Sequence, residues 1–296
     1  MPNVQFAPYY LAADRGYYSD AGIDITIKDG VNAGLLEQLG NGSIDFGLTG
    51  GDALTPARAK GIPVTYIMAQ FQKYPVGALA IAGTNPPLTA PADLKGRNVG
   101  VSAPNGSTYI GLLALLQAAK LTLNDIHLIS IGFTEVEALQ QKRVDAAMTF
   151  LTNEPVQVRA LGLQIQTLAV ADYAKLVSTG LATGEKNFTG RADLVQRFVA
   201  ASLRGLRATQ QEPDAAFAAA LKRMPEVAAD AKQTQIQRDV LTSTLAFEQP
   251  PAGHPLGWSD PAAWQAMQDL LKSSGLIDKT VDPALLYTNQ FAEAAG

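Results

Sequence analysis

The sequence predicts an α/β protein made of two lobes, and three observations lead to that fold class. Hydrophobic residues make up 47% of the 296 residues and charged residues 17%, which suffices for two medium-sized cores. Short apolar runs alternate with helical patterns along about the first 190 residues. One helix–strand unit also recurs about one hundred residues further along the chain.

The strands are predicted from short β-branched or apolar runs bounded by Gly, Pro or Asn. In chain order these runs are residues 23–28, 44–50, 64–70, 77–83, 98–103, 127–132, 145–151 and 164–169. Amphipathic patterns between them predict helices, for example over residues 107–120 and 134–143. This alternation favours mostly parallel sheets with helices on both faces.

The internal repeat relates residues 35–50 to residues 137–150. The matching pairs are Leu39 with Leu139, Asp45 with Asp145, and Thr49 with Thr149. Chance similarity between two ordinary α/β units is one explanation, and two lobes built from the same parts is the other. We favour two lobes.

The crossings between the lobes are predicted at two Gly-rich segments, residues 71–90 and 176–191. Lobe one then comprises residues 1–80 and 181–296, and lobe two comprises residues 81–180. Helical patterns from residue 192 onward predict a helical C-terminal part. Two crossing strands would form a hinge, because a few residues there can absorb a large change in backbone dihedrals.

Composition excludes several functional classes. The net charge of −4 and the lack of a Lys/Arg cluster argue against nucleic-acid binding. No run approaches 18 apolar residues, so we expect no membrane span. With no cysteine and two histidines, we expect neither a metal site nor a cofactor, and no catalytic residue is assigned.

The candidate ligand site lies at the loops that follow the predicted strands, because ligands of open parallel sheets lie beyond the strands' carboxyl ends. These loops carry aromatic rings and amides, and Lys73 is their one basic residue. Aromatic rings from opposed lobes can stack on both faces of a planar molecule, while side-chain amides form hydrogen bonds with the polar atoms at its edge. An oxyanion would instead require a fixed cation or several donors. The pattern therefore favours a largely neutral heteroaromatic ligand.

The candidate ligand-binding residues have in common that they lie in or beside these loops. They are Asn3, Gln5, Phe6, Tyr9, Gly50, Gly51, Asp52, Phe71, Asn105, Ser107, Thr108, Tyr109, Phe133, Phe150 and Asn153. Structural alternatives stay open for several of them. Tyr9 could anchor the first helix, Gly50-Gly51 could be a plain turn, and Asp52 or Ser107 could cap a helix. Glu154 is interpreted as a surface charge near a helix start.

The opening of the chain resembles a known family. A Pro-Asn turn and an aromatic pair precede the matching residues Ala12, Asp14, Arg15, Gly16, Tyr17, Tyr18, Gly22, Ile23, Asp24 and Ile25. This pattern is similar to the periplasmic solute-binding proteins of ABC importers, in the branch for thiamine pyrimidine precursors, riboflavin, alkanesulfonates or nitrate. Residues 40–53, 91–109 and 142–155 resemble further segments of the branch. Residues 2–10 are most similar to the riboflavin and thiamine-pyrimidine binders.

The resemblance implies a two-lobed periplasmic-binding-protein architecture and a carrier, not an enzyme. It implies a flat vitamin or vitamin precursor as ligand, ABC permease subunits as partners, and a monomer. The location would be periplasmic or extracytoplasmic, with a signal peptide and a possible lipid anchor in the precursor. Three alternatives remain: a sulfonate or nitrate binder, a pyrimidine-synthesising enzyme on the same scaffold, and the sensing domain of a receptor.

Overall fold

The computed structural model describes residues 2–30, 34–83 and 86–295. The strands are β1 (Phe46–Gly50), β2 (Val64–Ala69), β3 (Val76–Ile81), β4 (Asn98–Val101), β5 (His127–Ser130), β6 (Ala146–Phe150), β7 (Ile165–Ala169) and β8 (Thr179–Gly184). The helices up to the second crossing are α1 (Ala7–Asp14), α2 (Tyr17–Asp20), α3 (Leu35–Asn41), α4 (Gly51–Ala59), α5 (Gly106–Ala118), α6 (Glu135–Gln140) and α7 (Glu154–Ala160). The C-terminal helices are α8 (Glu185–Gly190), α9 (Ala192–Gln211), α10 (Pro213–Leu221), α11 (Pro225–Ala228), α12 (Ala231–Leu245), α13 (Pro261–Ser273), α14 (Pro283–Leu286) and α15 (Gln290–Ala294).

The strands form two sheets, one with the order β1-β8-β2 and one with the order β5-β4-β6-β3-β7. Strand β8 runs antiparallel to both its neighbours, and β3 runs antiparallel to β6 and β7, whereas β4 is parallel to β5 and β6. In each sheet the described strands therefore run in one direction, except for one strand. The exception is β8 in the three-stranded sheet and β3 in the five-stranded sheet, and each of them follows directly from a strand of the other sheet. The α/β prediction with helices flanking two sheets is confirmed, but the expectation of mostly parallel sheets is not, because four of the six pairings between described strands are antiparallel. A strand that arrives directly from another sheet has no helical crossover to force it parallel.

The crossings are shorter than the predicted segments. Strand β3 pairs within the five-stranded sheet and β8 within the three-stranded one, so the connections between sheets are residues 70–75 and 170–178. The carbonyl of Thr179 accepts hydrogen bonds from the amides of Gln70 and Phe71, at 3.1 and 3.0 Å, which joins the two crossings at the three-stranded sheet. The division into lobes at residues 80 and 180 stays a prediction. Because β3 pairs with β6 and β7, all of its residues belong to the five-stranded sheet of the second lobe, including those before residue 80.

The predicted strand over residues 23–28 is wrong in one respect. Ile23, Ile25 and Ile27 are half-buried while the residues between them are exposed, which is the alternation expected of a strand. The segment is extended, but it pairs with no strand in the described part of the chain. A strand is defined by its ladder of backbone hydrogen bonds, and sequence alternation does not supply the partner.

The repeated unit predicted from the sequence is present as α3–β1 and α6–β6. Asp45 and Asp145 each immediately precede the strand of their unit. The Asp145 carboxylate accepts the amide of Asn98 at 2.8 Å, and the Asp45 carboxylate accepts from Arg191 at 2.7 Å. In each unit this carboxylate ties the start of the strand to a neighbouring element.

The C-terminal helices cover the three-stranded sheet and helix α1. In α9, buried residues recur at spacings of three and four, so one face of this 20-residue helix is apolar. A Cβ atom added to Gly205 would lie 2.3 Å from the carbonyl oxygen of Pro8, so α9 approaches α1 closely at this glycine. Trp264 of α13 belongs to a different core cluster from α9, where it is fully buried against Tyr66 of β2 and donates from Nε1 to Ser259 at 2.8 Å. No helix within the described ranges has the length and apolar character needed to cross a membrane.

Candidate functional site

Loops from the two sheets meet at Gln5 and Thr152. The Gln5 side chain donates from Nε2 to the hydroxyl of Thr152 at 2.6 Å. Gln5 precedes α1 beside the three-stranded sheet, and Thr152 follows β6 of the five-stranded sheet. Gln5 was a predicted site residue, whereas the buried Thr152 was not among the candidates. This contact joins the two lobes directly.

A second contact between the lobes is centred on Tyr74 in the first crossing. Its hydroxyl lies 3.3 Å from the Asp52 carboxylate at the start of α4 and 3.0 Å from the Ser107 carbonyl at the start of α5. Burial raises the pKa of Asp52, while hydrogen bonds from Ser107, Ala53 and Tyr74 oppose that rise. Asp52 and Ser107 were both predicted site residues. The structure therefore brings them together.

Behind Gln5 lies a buried polar network that the sequence reasoning missed. Gln70 donates from Nε2 to the Gln5 carbonyl at 2.9 Å and to Glu248 at 3.1 Å, and Tyr9 donates its hydroxyl to Gln70 at 3.3 Å. Glu248 is 0% exposed, and its second oxygen, Oε2, has no hydrogen-bond partner among the described residues. Burial raises the pKa of Glu248 to about 8, although the donation from Gln70 opposes the rise.

The wall formed by the five-stranded sheet is acidic. Glu154 accepts the amide of Phe150 at 2.9 Å and the side-chain amide of Asn153 at 2.8 Å, and Ser102 donates to the buried Glu135 at 2.7 Å. Burial raises the pKa of Glu154 to about 7, with the Glu135 carboxylate adding to the rise. The interpretation of Glu154 as a surface charge is therefore wrong, because both of its oxygens are held inside the loop between β6 and α7. The position of a lone Glu near a helix start gave no signal of burial.

The remaining candidates beside the three-stranded sheet have other surroundings, and their role in ligand binding stays a prediction. Asn3 accepts the Gln5 amide at 2.9 Å and so caps the short helix Val4–Phe6. Phe6 and Tyr9 line a groove of the three-stranded sheet's own lobe. Phe71 is buried at the joined crossings.

The glycine pair is required by close packing. A Cβ atom on Gly50 would lie 2.1 Å from the Asp52 carboxylate, and one on Gly51 would lie 2.5 Å from Val177 in the second crossing. A larger residue at Gly51 would push α4 away from the crossing. The alternative of a simple turn does not describe the pair, because Gly50 ends β1 and Gly51 begins α4.

The candidates beside the five-stranded sheet differ in exposure. Phe133 is 88% exposed in the loop before α6, and Asn105 is exposed at the start of α5. Thr108 is buried, and Tyr109 and Phe150 pack partly against the core. Of the predicted aromatic residues, Phe133 is the most exposed. Within the described ranges, no cluster of three or more His, Asp or Glu residues could hold a metal ion.

A model of the NMT1/THI5-like family matches residues 3–216. The chain belongs to this family. Its relatives include the riboflavin-binding protein RibY of Chloroflexus aurantiacus, at 34% identity over 98% of this chain and 83% of that protein. They also include 4-amino-5-hydroxymethyl-2-methylpyrimidine phosphate synthase of Legionella pneumophila, at 25% identity over 98% of this chain and 89% of the enzyme.

The fold of this NMT1/THI5-like protein is that of the periplasmic binding proteins. The periplasmic aliphatic sulphonate-binding protein SsuA of Escherichia coli superimposes with a TM-score of 0.75 at 21% identity, over 94% of this chain and 87% of SsuA. At that identity the likeness establishes the fold alone. The resemblance noted in the opening residues is thereby confirmed, and of the relatives named here the more similar one is a binding protein.

Proposed function

We propose that this chain is the substrate-binding component of an ABC importer and that it captures a flat, largely neutral heteroaromatic molecule between its lobes. Riboflavin or a thiamine-type pyrimidine fits this description, and the permease subunits would receive the ligand. The contact of Gln5 with Thr152 at 2.6 Å carries the proposal, because it brings polar loops of both lobes to one place. The protein would act as a monomer in the periplasm or outside the cytoplasm, with or without a lipid anchor.

The charges around the joined loops support a ligand that offers N–H groups. Asp52, Glu135 and Glu154 supply carboxyl oxygens, and Gln5 adds an amide. The imide N–H of a flavin or the amino group of a pyrimidine can donate to such acceptors. A sulfonate or nitrate would meet three carboxyl groups here, and no guanidinium or ammonium group of the described residues pairs with Asp52, Glu135 or Glu154, which disfavours the oxyanion alternative.

The enzyme alternative is less well supported. Synthesis of the pyrimidine from pyridoxal phosphate would require a lysine for a Schiff base and a histidine in the pocket. Lys73 lies in the first crossing with its side chain exposed, and His127 begins β5, at the end of that strand opposite the joined loops. The identity to RibY, higher than that to the synthase, also favours a carrier.

Calorimetric titration of the purified chain tests the function. We expect saturable one-to-one binding of riboflavin or hydroxymethylpyrimidine, and no heat with ethanesulfonate or nitrate. Binding of ethanesulfonate in preference to both heteroaromatics would overturn the proposal. Turnover of pyridoxal phosphate to a pyrimidine in the same preparation would establish the enzyme instead.

Replacing Phe133 by Ala is expected to weaken binding of the heteroaromatic ligand by about 1–3 kcal/mol, the scale for losing a stacked ring and its buried area. Because Phe133 is 88% exposed, stability should change by no more than about 0.5 kcal/mol. The affinity is measured by calorimetry and the stability by thermal unfolding.

The matched control is Leu161→Ala. Leu161 is 46% exposed and follows the last residue of α7, at the far end of that helix from Thr152. We expect this variant to bind like the parent. Equal affinities for Phe133→Ala and the parent would remove Phe133 from the ligand site.

A further inference from the structure

Glu248 lies at one end of a series of hydrogen bonds that leads to the contact between the lobes. It follows α12, and its side chain is 0% exposed. Its carboxyl accepts from Gln70 Nε2 at 3.1 Å, and the same amide nitrogen donates to the Gln5 carbonyl at 2.9 Å. The Gln5 side chain in turn donates to Thr152 of the second lobe at 2.6 Å. Two residues therefore link Glu248 to the second lobe.

The surrounding hydrogen bonds fix the orientation of the Gln70 side chain. Its Nε2 faces two acceptors, and its Oε1 accepts the Tyr9 hydroxyl at 3.3 Å. Turning the amide over would place Oε1 against the Gln5 carbonyl, and neither oxygen carries a proton. Both N–H groups of Gln70 are thus paired, and Glu248 supplies one of the two acceptors.

A backbone hydrogen bond fixes the segment of Glu248 to the same crossing. The amide of Gln72 donates to the carbonyl of Phe247 at 2.6 Å, one residue before Glu248. Burial of a carboxyl is costly, and in the described part of the chain Gln70 is the one side chain that donates to it. A leucine would fill this place without that cost, so core packing alone does not account for a carboxyl here.

We propose that Glu248 is a positioning residue for ligand binding: through Gln70 it fixes Gln5 at the contact with Thr152. The proposal rests on the proposed function, which assigns Gln5 to the ligand loops. The family model ends at residue 216, so Glu248 lies outside the matched part of the chain. The segment after α12 would thus shape the ligand site without contacting the ligand.

The neutral form of the carboxyl suits this role. Burial raises the pKa of Glu248 to about 8, and a protonated carboxyl still offers an acceptor oxygen to Gln70. The polar groups that face it are Gln70 in the first crossing and Tyr9 of α1, and burial raises the pKa of Tyr9 as well. Ionisation above about pH 8 would place a charge without a cation in this network. The affinity for ligand should therefore fall as the pH rises through about 8.

The test uses the full chain with riboflavin as the probe and compares three variants. Glu248→Leu removes the acceptor, and Glu248→Gln keeps an acceptor oxygen that cannot ionise. The matched control is Thr244→Val, because the buried Thr244 hydroxyl donates to the Val240 carbonyl of its own helix at 2.8 Å. Calorimetry measures affinity, and hydrogen exchange over residues 4–10 measures the order of the Gln5 loop. Urea unfolding measures stability.

We expect Glu248→Leu, at about pH 6, to weaken riboflavin binding about tenfold or more and to speed exchange over residues 4–10. Glu248→Gln should keep both within about threefold of the parent. Thr244→Val should lower stability and change neither. Raising the pH to about 9 should weaken binding by the parent but not by Glu248→Gln. A residue that stabilised the fold alone would change the unfolding midpoint and leave the affinity of the folded protein unaltered.

Two results would overturn the proposal. The first is a folded Glu248→Leu variant that binds riboflavin like the parent and exchanges at the same rate over residues 4–10. The second is a parallel loss of affinity by the parent and Glu248→Gln between the two pH values, a comparison that decides the matter if Glu248→Leu does not fold.

Failure of the proposed function is a separate outcome, in which the parent binds neither riboflavin nor hydroxymethylpyrimidine. Hydrogen exchange then tests the positioning of Gln5 by itself. Faster exchange over residues 4–10 in Glu248→Leu than in Thr244→Val supports the role of Glu248, and equal rates contradict it.

Discussion

Gly205→Ala is expected to destabilise the protein by about 3 kcal/mol, although alanine is the better helix former. The added methyl would lie 2.3 Å from the carbonyl oxygen of Pro8 and 2.8 Å from Cβ of Ala12. Neither atom belongs to a flexible side chain that can turn aside, so α9 must move away from α1. That movement would open the buried contacts along the apolar face of α9. Thermal or urea unfolding measures the loss.

The matched control for this prediction is Gly190→Ala. Gly190 is the last residue of α8, and an added Cβ atom would have no neighbour within 4 Å. We expect a change within about 0.5 kcal/mol. If the two alanine variants unfold at the same midpoint, the close approach of α9 to α1 is not a determinant of stability.

Glu248→Gln is expected to remove much of the decline in stability that the raised pKa of Glu248 predicts between about pH 5 and 8. Burial raises the pKa of this carboxyl from its ordinary value of 4.5 to about 8, so the folded state keeps a proton that the unfolded chain releases. Stability is then fully present below pH 4.5 and falls as the pH rises towards 8, by up to about 1.4 kcal/mol for each unit. A glutamine carries no charge, so it avoids this penalty.

The measured quantity is the stability of the variant minus that of the parent, by urea unfolding at pH 5 and pH 8. We expect this difference to move in favour of Glu248→Gln by roughly 3 kcal/mol between the two conditions. Asp52 and Glu154 also have raised pKa values, so both proteins keep part of the slope. The exposed Glu226→Gln variant is the control and should follow the parent. Parallel curves for Glu248→Gln and the parent would refute the prediction.

The sequence predicted those parts of the fold that depend on local pattern. The run over Val64–Ala69 is buried at all six positions, and its β-branched and apolar content marked it as a strand. The repeated unit identified Asp45 and Asp145 before their strands. The same local reasoning failed for residues 23–28, because alternation indicates how a segment faces the core but not whether a second backbone lies beside it.

The site was predicted only in outline, since its contacts join residues far apart in the chain. The loops were predicted from the rule for carboxyl ends of strands; Gln5 lies in one contact between the two lobes, with Thr152, and Asp52 and Ser107 lie in another, around Tyr74, while their role in ligand binding stays a prediction. The partner of Gln5 is Thr152, 147 residues away, and nothing in the local pattern marks a threonine for that role. Glu248 lies two residues before Pro250-Pro251 in a segment whose local sequence resembles a surface loop, so nothing in that sequence indicates its burial beside Gln70.

The paired hydrogen bonds at Thr179 restrict how the two halves can move relative to each other. The amides of Gln70 and Phe71 both donate to the Thr179 carbonyl, so the two connecting segments are attached to each other at the three-stranded sheet. If the two halves close on a ligand, the change in backbone dihedrals would then fall in residues 72–75 and 170–178, beyond this shared attachment. We therefore expect a single angular coordinate and, after rapid mixing with ligand, a relaxation described by one rate constant.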